Sequence, residues 1–215
     1  CNTTISKVKD PETGEEKWEP KGNSSEAPIV VAARKIGFSE SVSDEYKRVL
    51  EIPFSSSRKM MMTVSDISGR SELCASGFPL AKGSTLLAVV KGAPNFILDY
   101  CTEQLTEDGG SRPMSDEDKQ RVLEIVDAYS TRALRVLAIA AQCFEEMPFD
   151  TLDEDVTTDQ KFEACRTNLR LLGLVASIDP DRDGVPESVL AARGAGIRVV
   201  MITGDYLKTA IAIAH

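Results

Sequence analysis

Two groups of polar residues follow apolar segments near the end of the chain. Asp179 comes directly after one apolar run, and Thr203-Gly204-Asp205 comes directly after another. In an open parallel sheet, ligands bind outside the carboxyl ends of the strands, where such residues meet. A Thr hydroxyl and backbone N–H groups at a helix start suit a phosphate, and carboxylates suit Mg²⁺. Asp is also a common helix cap, so the pattern alone leaves both interpretations open.

A second set of candidates combines one aromatic ring with four cations. Phe54 precedes a Ser-rich turn that is followed by Arg58 and Lys59, Lys91 ends an apolar run, and Arg135 lies among apolar residues. An exposed Phe can stack on a purine, and Lys and Arg can balance a polyphosphate. Taken singly, the ring also fits a core position and the cations fit solvated strand ends or a surface ion pair. Neither GxxxxGK[ST] nor GxGxxG is present, so no standard nucleotide loop is available.

The elements that must position these residues follow from the apolar periodicity. Residues 1–22 suggest an edge hairpin, and Asn23 with Glu26 has capping-box spacing at the start of a helix that ends at Gly37. Further helices are predicted over 93–101 and from Ser115. Strands are predicted over 49–54, 59–67, 85–91 and 136–143. The acidic segment 145–160 is predicted to be a solvated loop.

The pattern changes near residue 172. Nearly continuous apolar runs predict buried strands over 169–178 and 197–202, separated by a helix that Asp183 can cap and followed by another after Asp205. We therefore predict an α+β domain over 1–172, with an antiparallel sheet flanked by helices. A truncated α/β segment of the haloacid-dehalogenase type is predicted over 173–215. Its parallel strands lack neighbours, so residues beyond about 180 are expected to be poorly packed or to borrow contacts from another chain.

Composition excludes several classes of protein. The net charge of −9 and pI near 4.8 argue against a protein that binds nucleic acid through bulk charge. No apolar run approaches the roughly 18 residues that a membrane helix needs. The five Cys residues are scattered without a CxxC pair, which argues against a zinc cluster, and no metal site is expected in this chain. Both ends look cut from a longer protein.

Four motifs in order carry a specific resemblance. They are Phe54-Ser-Ser-Ser-Arg-Lys59-Met, Lys91-Gly-Ala-Pro94, Asp179-Pro-Asp-Arg182, and Met201-Ile-Thr-Gly-Asp205 followed by Thr209-Ala-Ile-Ala-Ile-Ala214. Over roughly residues 20–215, the chain resembles the P-type cation-transporting ATPases of the calcium-pump and sodium-pump branch. The matching parts are the nucleotide-binding domain and part of the phosphorylation domain.

The resemblance implies roles for individual residues. Phe54 would stack on adenine, Glu26 would contact the adenine amino group, and Lys59 and Lys91, with Gly92 beside it, would line the adenine and ribose side. Arg135, in Arg135-Val-Leu-Ala, would reach the phosphates. The expected neighbours of the phosphorylation site are Asp179, Arg182, Thr203, Gly204 and Asp205.

The resemblance also implies what the chain lacks. The family's Asp-Lys-Thr-Gly-Thr segment, whose Asp accepts the phosphoryl group, is absent from the sequence, as are its Gly-Asp-Gly-x-Asn-Asp segment and its membrane helices. We therefore expect a monomeric portion that binds ATP without turning it over and contains no catalytic residue. The parent would be a membrane-embedded pump that uses Mg²⁺, with calcium as the expected ion. This portion would face the cytoplasm and work with the phosphorylation, actuator and membrane domains.

Two other functions fit parts of the sequence. A free-standing haloacid-dehalogenase-type phosphatase would use Asp179 as nucleophile and Asp181 as acid and base, although the downstream residues of that superfamily would have to follow His215. A regulatory docking domain could use the acidic segment 145–160. Abolished aryl-phosphatase turnover in Asp179→Asn would favour the first, and ATP binding unaffected by Phe54→Ala would favour the second.

Overall fold

The structure is a computed structural model of the 215-residue chain. It describes residues 2–9, 11, 14–23, 25–38, 45–69, 83–178, 182–203 and 207–214. Contacts between residues divide the chain into two compact units. The first unit comprises residues 1–114 and 138–175, and the second comprises residues 115–137 and 176–215.

Strands form two sheets. A two-stranded antiparallel hairpin contains β1 (Thr4–Lys9) and β2 (Glu16–Lys21), as predicted for the first residues. A seven-stranded sheet has the order β3-β4-β5-β8-β9-β6-β7. Its strands are β3 (Arg48–Ile52), β4 (Met60–Asp66), β5 (Leu86–Gly92), β6 (Cys101–Leu105), β7 (Ser111–Pro113), β8 (Leu134–Phe144) and β9 (Leu169–Ile178). Strands β3, β4, β5 and β8 pair antiparallel in succession, whereas β6 pairs parallel with β9.

Six helices lie in the described ranges. They are α1 (Ala27–Lys35), α2 (Pro94–Leu98), α3 (Asp116–Ser130), α4 (Thr158–Cys165), α5 (Val185–Gly194) and α6 (Leu207–Ala214). The α+β class is thereby confirmed. Helix α3 begins as predicted, since the Ser115 hydroxyl accepts from the N–H of Asp118 and the Asp118 carboxylate accepts from the N–H of Ser115.

One face of the seven-stranded sheet carries the core of the first unit. In the strand register, Met62 lies opposite both Ile52 and Val90, and Val90 lies opposite Ala140. All four side chains are buried. Because side chains alternate along a strand, Lys91 points to the other face of the sheet, away from this apolar row.

The predicted loop over 145–160 is wrong at its end. Helix α4 begins at Thr158, and Thr157 caps it, because the Thr157 hydroxyl accepts from the N–H of Gln160 while the Gln160 side chain accepts from the N–H of Thr157. The capping box and the buried ring of Phe162 outweigh the acidic composition that suggested a loop. Strands β6 and β7 were also missed.

The predicted strand over 197–202 is wrong as well. Residues 197–203 form neither helix nor strand, and Ile202 is 94% exposed. Strand β9, which was predicted to open a new parallel sheet, already has β8 on one side and β6 on the other. Helix α5 follows Gly184 rather than an Asp183 cap, and no residue of α5 is buried. Poor packing is thus confirmed for α5 and for 197–203, and the haloacid-dehalogenase-type segment stays a prediction.

Candidate functional site

The end of β5 meets the segment between β3 and β4, residues 53–59, which we call the site loop. The N–H of Ala93 donates to the carbonyl oxygen of Lys59 at 3.0 Å. A Cβ atom on Gly92 would lie 2.3 Å from that same oxygen and 2.8 Å from Cα of Met60. Only glycine permits this approach. The Lys-Gly-Ala-Pro motif therefore has a structural role at Gly92, which is to let the two segments touch.

Lys91 and Glu26 form an enclosed ion pair. The Lys91 Nζ atom lies 2.6 Å from Oε1 of Glu26, and the two side chains are only 14% and 7% exposed. Glu26 is the residue that precedes helix α1, so its carboxylate also lies at the favourable, positive end of the helix dipole. Two of the residues that were selected from the sequence are thus in direct contact.

The second oxygen of Glu26 is held by the start of the chain. Oε2 accepts from the backbone N–H of Asn2 at 2.9 Å and from the hydroxyl of Thr3 at 3.2 Å. Burial by itself would raise the pKa of Glu26, but the hydrogen bonds from Lys91, Asn2 and Thr3 and the charge of Lys91 together lower it below 4.5. Glu26 is therefore ionised at neutral pH, despite being buried.

This use of Glu26 corrects the predicted capping box. Asn23 accepts from the N–H of Ser25 within its own turn, and the N-cap is Glu26, whose side chain makes no capping hydrogen bond. Glu is uncommon at an N-cap, where short polar side chains are preferred. The physical reason is that the Glu26 carboxylate is committed to Lys91, Asn2 and Thr3. Sequence reasoning missed Asn2 and Thr3, and nothing in their types or spacing indicates this contact.

Phe54 lies in the site loop and is 52% exposed. Hydrogen bonds fix the backbone of the site loop directly after Phe54. The N–H of Lys59 donates to the carbonyl of Ser55 at 2.8 Å, and the N–H of Arg58 donates to the Ser55 hydroxyl at 3.2 Å. Lys59 has a positive φ of 57°, which is uncommon for a residue with a side chain. The ring is thus presented from an ordered loop, and the core alternative for Phe54 is wrong.

The remaining predicted residues belong to other segments of the chain. Arg135 lies in β8, in the second unit, and is partly exposed. Arg182 and Thr203 are exposed residues outside helices and strands. Asp179, Asp181, Gly204 and Asp205 lie outside the described residues. The phosphorylation-site neighbours therefore stay a prediction.

In the described parts of the chain, no three side chains of His, Cys, Asp or Glu are grouped so that they could hold a metal ion. Within the same ranges, no helix combines the length and apolar character that a membrane crossing requires. Asp179 and Asp205, whose carboxylates would suit Mg²⁺, lie outside these ranges.

Comparison with known proteins decides the family. The sequence profile described as P-type ATPase, cytoplasmic domain N, matches residues 1–184. The chain belongs to the P-type ATPase family. This confirms the resemblance that the four motifs carried.

Relatives within the P-type ATPases transport different cations, according to their names. The chain is 37% identical over 239 residues to P-type sodium-transporting ATPase4 of Toxoplasma gondii, covering 99% of this chain and 17% of the relative. It is 34% identical to the protein of the same name in Plasmodium falciparum, covering 99% and 18%. It is 33% identical to calcium-transporting ATPase 1 of Lactococcus lactis, covering 90% and 19%. The chain thus spans less than a fifth of the length of these relatives.

Proposed function

We propose that this chain is the ATP-binding portion of a cation-transporting P-type ATPase. The observation that carries the proposal is the enclosed ion pair between Lys91 and Glu26, which lies where the Lys-Gly-Ala-Pro motif meets the site loop. A buried cation that is held in place by a carboxylate is a preorganised partner for a polar ligand, because little side-chain freedom remains to be lost on binding.

The chemistry of the group fits the adenosine part of ATP. The exposed ring of Phe54 offers a face on which a purine can stack, an interaction worth roughly 1–3 kcal/mol per base. Glu26 accepts hydrogen bonds and would receive the adenine amino group, while Lys59, Lys91 and Gly92 would line the base and ribose. A single cleft shared by Phe54 and Lys91 is part of this proposal.

The phosphate end of the ligand involves other residues. Arg135 would reach the phosphates, and Arg182, Thr203, Gly204, Asp179 and Asp205 would neighbour the phosphorylation site. In the whole pump, ATP held here would pass its γ-phosphoryl group to an Asp carboxylate elsewhere in the protein, releasing ADP. Mg²⁺ would neutralise charge on the phosphates. Hydrolysis of that aspartyl phosphate would be coupled to cation movement, with calcium as the predicted ion.

Titration of the chain with ATP tests the proposal. Because most phosphate partners and the Mg²⁺ site are expected in parts of the pump outside this chain, we expect a Kd on the order of 0.1–10 mM. Amide chemical shifts should change around residues 53–59 and 91–93, and the chain should release no phosphate. Absence of shifts in both segments at millimolar ATP would overturn the proposal.

A further inference from the structure

One side chain ties together both ends of the site loop. The guanidinium of Arg58 donates through one nitrogen to Oδ1 of Asp159 at 2.5 Å and through another to the carbonyl oxygen of Pro53 at 2.9 Å. Pro53 immediately precedes Phe54, whereas Arg58 lies near the far end of the loop. The planar, rigid guanidinium of Arg58 therefore links the two ends of the segment that contains Phe54.

Helix α4 supplies the anchor for this guanidinium. The Arg58 side chain is 18% exposed, and its guanidinium carbon lies 5.3 Å from the centre of the buried Phe162 ring. Asp159, in the first turn of α4, holds the same guanidinium from the solvent side. Arg58 is thus enclosed between an aromatic face and a carboxylate, both of which belong to one helix.

The backbone next to Arg58 needs such support. Lys59 adopts a positive φ that residues with a Cβ atom disfavour, and its carbonyl meets the N–H of Ala93. A strained backbone conformation of this kind persists only when several contacts with the surrounding structure hold it in place. Arg58 provides one of these constraints from helix α4, and the end of β5 provides another.

We infer that Arg58 is a positioning residue for the nucleotide site, acting through Phe54. The inference rests on the proposed function, because it assigns Arg58 the task of orienting the ring that stacks on the base. Arg58 itself is committed to Asp159, Pro53 and Phe162. Its removal should therefore weaken binding of the base and leave the phosphate contacts as they are.

The test compares binding of ATP and adenosine by variants of the 215-residue chain. Arg58→Met and Asp159→Asn should each raise the Kd of both ligands by about threefold to tenfold, since a misplaced ring loses part of its stacking energy. Arg58→Lys should recover part of the lost affinity, because a single ammonium group can replace only some of the contacts that the guanidinium makes with Asp159 and Pro53. Arg166→Met is the matched control. Arg166 is also 18% exposed and lies over Tyr100 and Phe162, but its guanidinium bonds Glu163 in α4 rather than a carbonyl of the site loop.

A double variant separates positioning from general loss of structure. In a Phe54→Ala background, Arg58→Met should cause no further loss of adenosine affinity, whereas unfolding would lower it again. Urea unfolding shows whether each variant is folded. If Arg58→Met does not fold, Asp159→Asn still tests the inference, because Asp159 is exposed and its replacement should not prevent folding.

Three outcomes would overturn the assignment. Wild-type affinity in both Arg58→Met and Asp159→Asn would do so, as would a loss confined to ATP, which would place Arg58 on the phosphates. A further loss in the Phe54→Ala background would do the same. Failure of the wild-type chain to bind either ligand would instead overturn the proposed function, and this assignment with it.

Discussion

The Nζ atom of Lys91 lies 2.6 Å from Oε1 of Glu26, and the second oxygen of that carboxylate is held by Asn2 and Thr3. The pair joins β5, the residue that precedes α1 and the start of the chain. A contact that fixes three segments at once should affect both folding and ligand binding. The first two predictions concern its effect on folding.

Replacing Lys91 by Met should destabilise the chain by about 2 kcal/mol, because it leaves the Glu26 carboxylate buried without its cation. Urea unfolding measures this loss. The matched control is Lys7→Met, which removes an ion pair with Glu16 whose side chains are both more than half exposed. That variant should change stability by less than about 1 kcal/mol. Equal losses in the two variants would contradict the structural role of Lys91.

Glu26 should make stability depend on pH in the acidic range. Its folded-state pKa lies below the unfolded value of about 4.5, so its contribution is present above that value and is lost as pH falls through the folded pKa. Glu26→Gln should therefore be less stable than the wild type at neutral pH. The difference should shrink as the pH falls below about 4.5. Unfolding curves of both chains, measured across this range, check the sign.

Gly92→Ala should be strongly destabilising. The new Cβ atom would meet the carbonyl oxygen of Lys59 and Cα of Met60, and backbone atoms cannot move aside as flexible side chains do. We expect a loss of about 2–3 kcal/mol, as for other overpacked positions. Gly194→Ala is the control, since a Cβ atom there meets nothing within 4 Å and its backbone is helical. That variant should be neutral or slightly stabilising.

Phe54→Ala should reduce ATP affinity without a comparable loss of stability. The ring is 52% exposed, so its removal leaves no cavity in the core, whereas a stacked base would lose roughly 1–3 kcal/mol, or about fivefold to 150-fold in Kd. Phe38 is 55% exposed and lies outside the site loop, which makes Phe38→Ala the matched control. Indistinguishable ATP affinities for the two variants would remove Phe54 from the site.

Local patterns predicted much of the fold. The bounds of β9 agree with the apolar run over 169–178, and Ser115 caps α3, because both signals are contained within one segment. Strands β6 and β7 were missed since they are short. Strand β6 depends on parallel pairing with β9, and its Glu103 binds Arg170 from that distant strand.

The site was predicted in its residue types but not in its contacts. Motifs selected Glu26 and Lys91, yet their ion pair depends on a fold that brings the residue before α1 within reach of the end of β5. Thr3 was missed for the same reason, and Arg58 was noted only as a cation next to Lys59. Arg58 and its partner Asp159 are 101 residues apart, and no local pattern encodes such a contact.

The position of β9 within the sheet has a mechanical consequence. An edge strand can peel away one hydrogen bond at a time, but β9 is bonded to β8 on one side and to β6 on the other. The pairing with β6 covers only Leu169–Leu171, so tension applied to the chain beyond Ile178 would load the ladder with β8 first and the ladder with β6 only at the far end of the strand. The C-terminal end of β9 would therefore transmit a pulling force to β8, an interior strand of the sheet, before the edge strands β3 and β7 bear any of it.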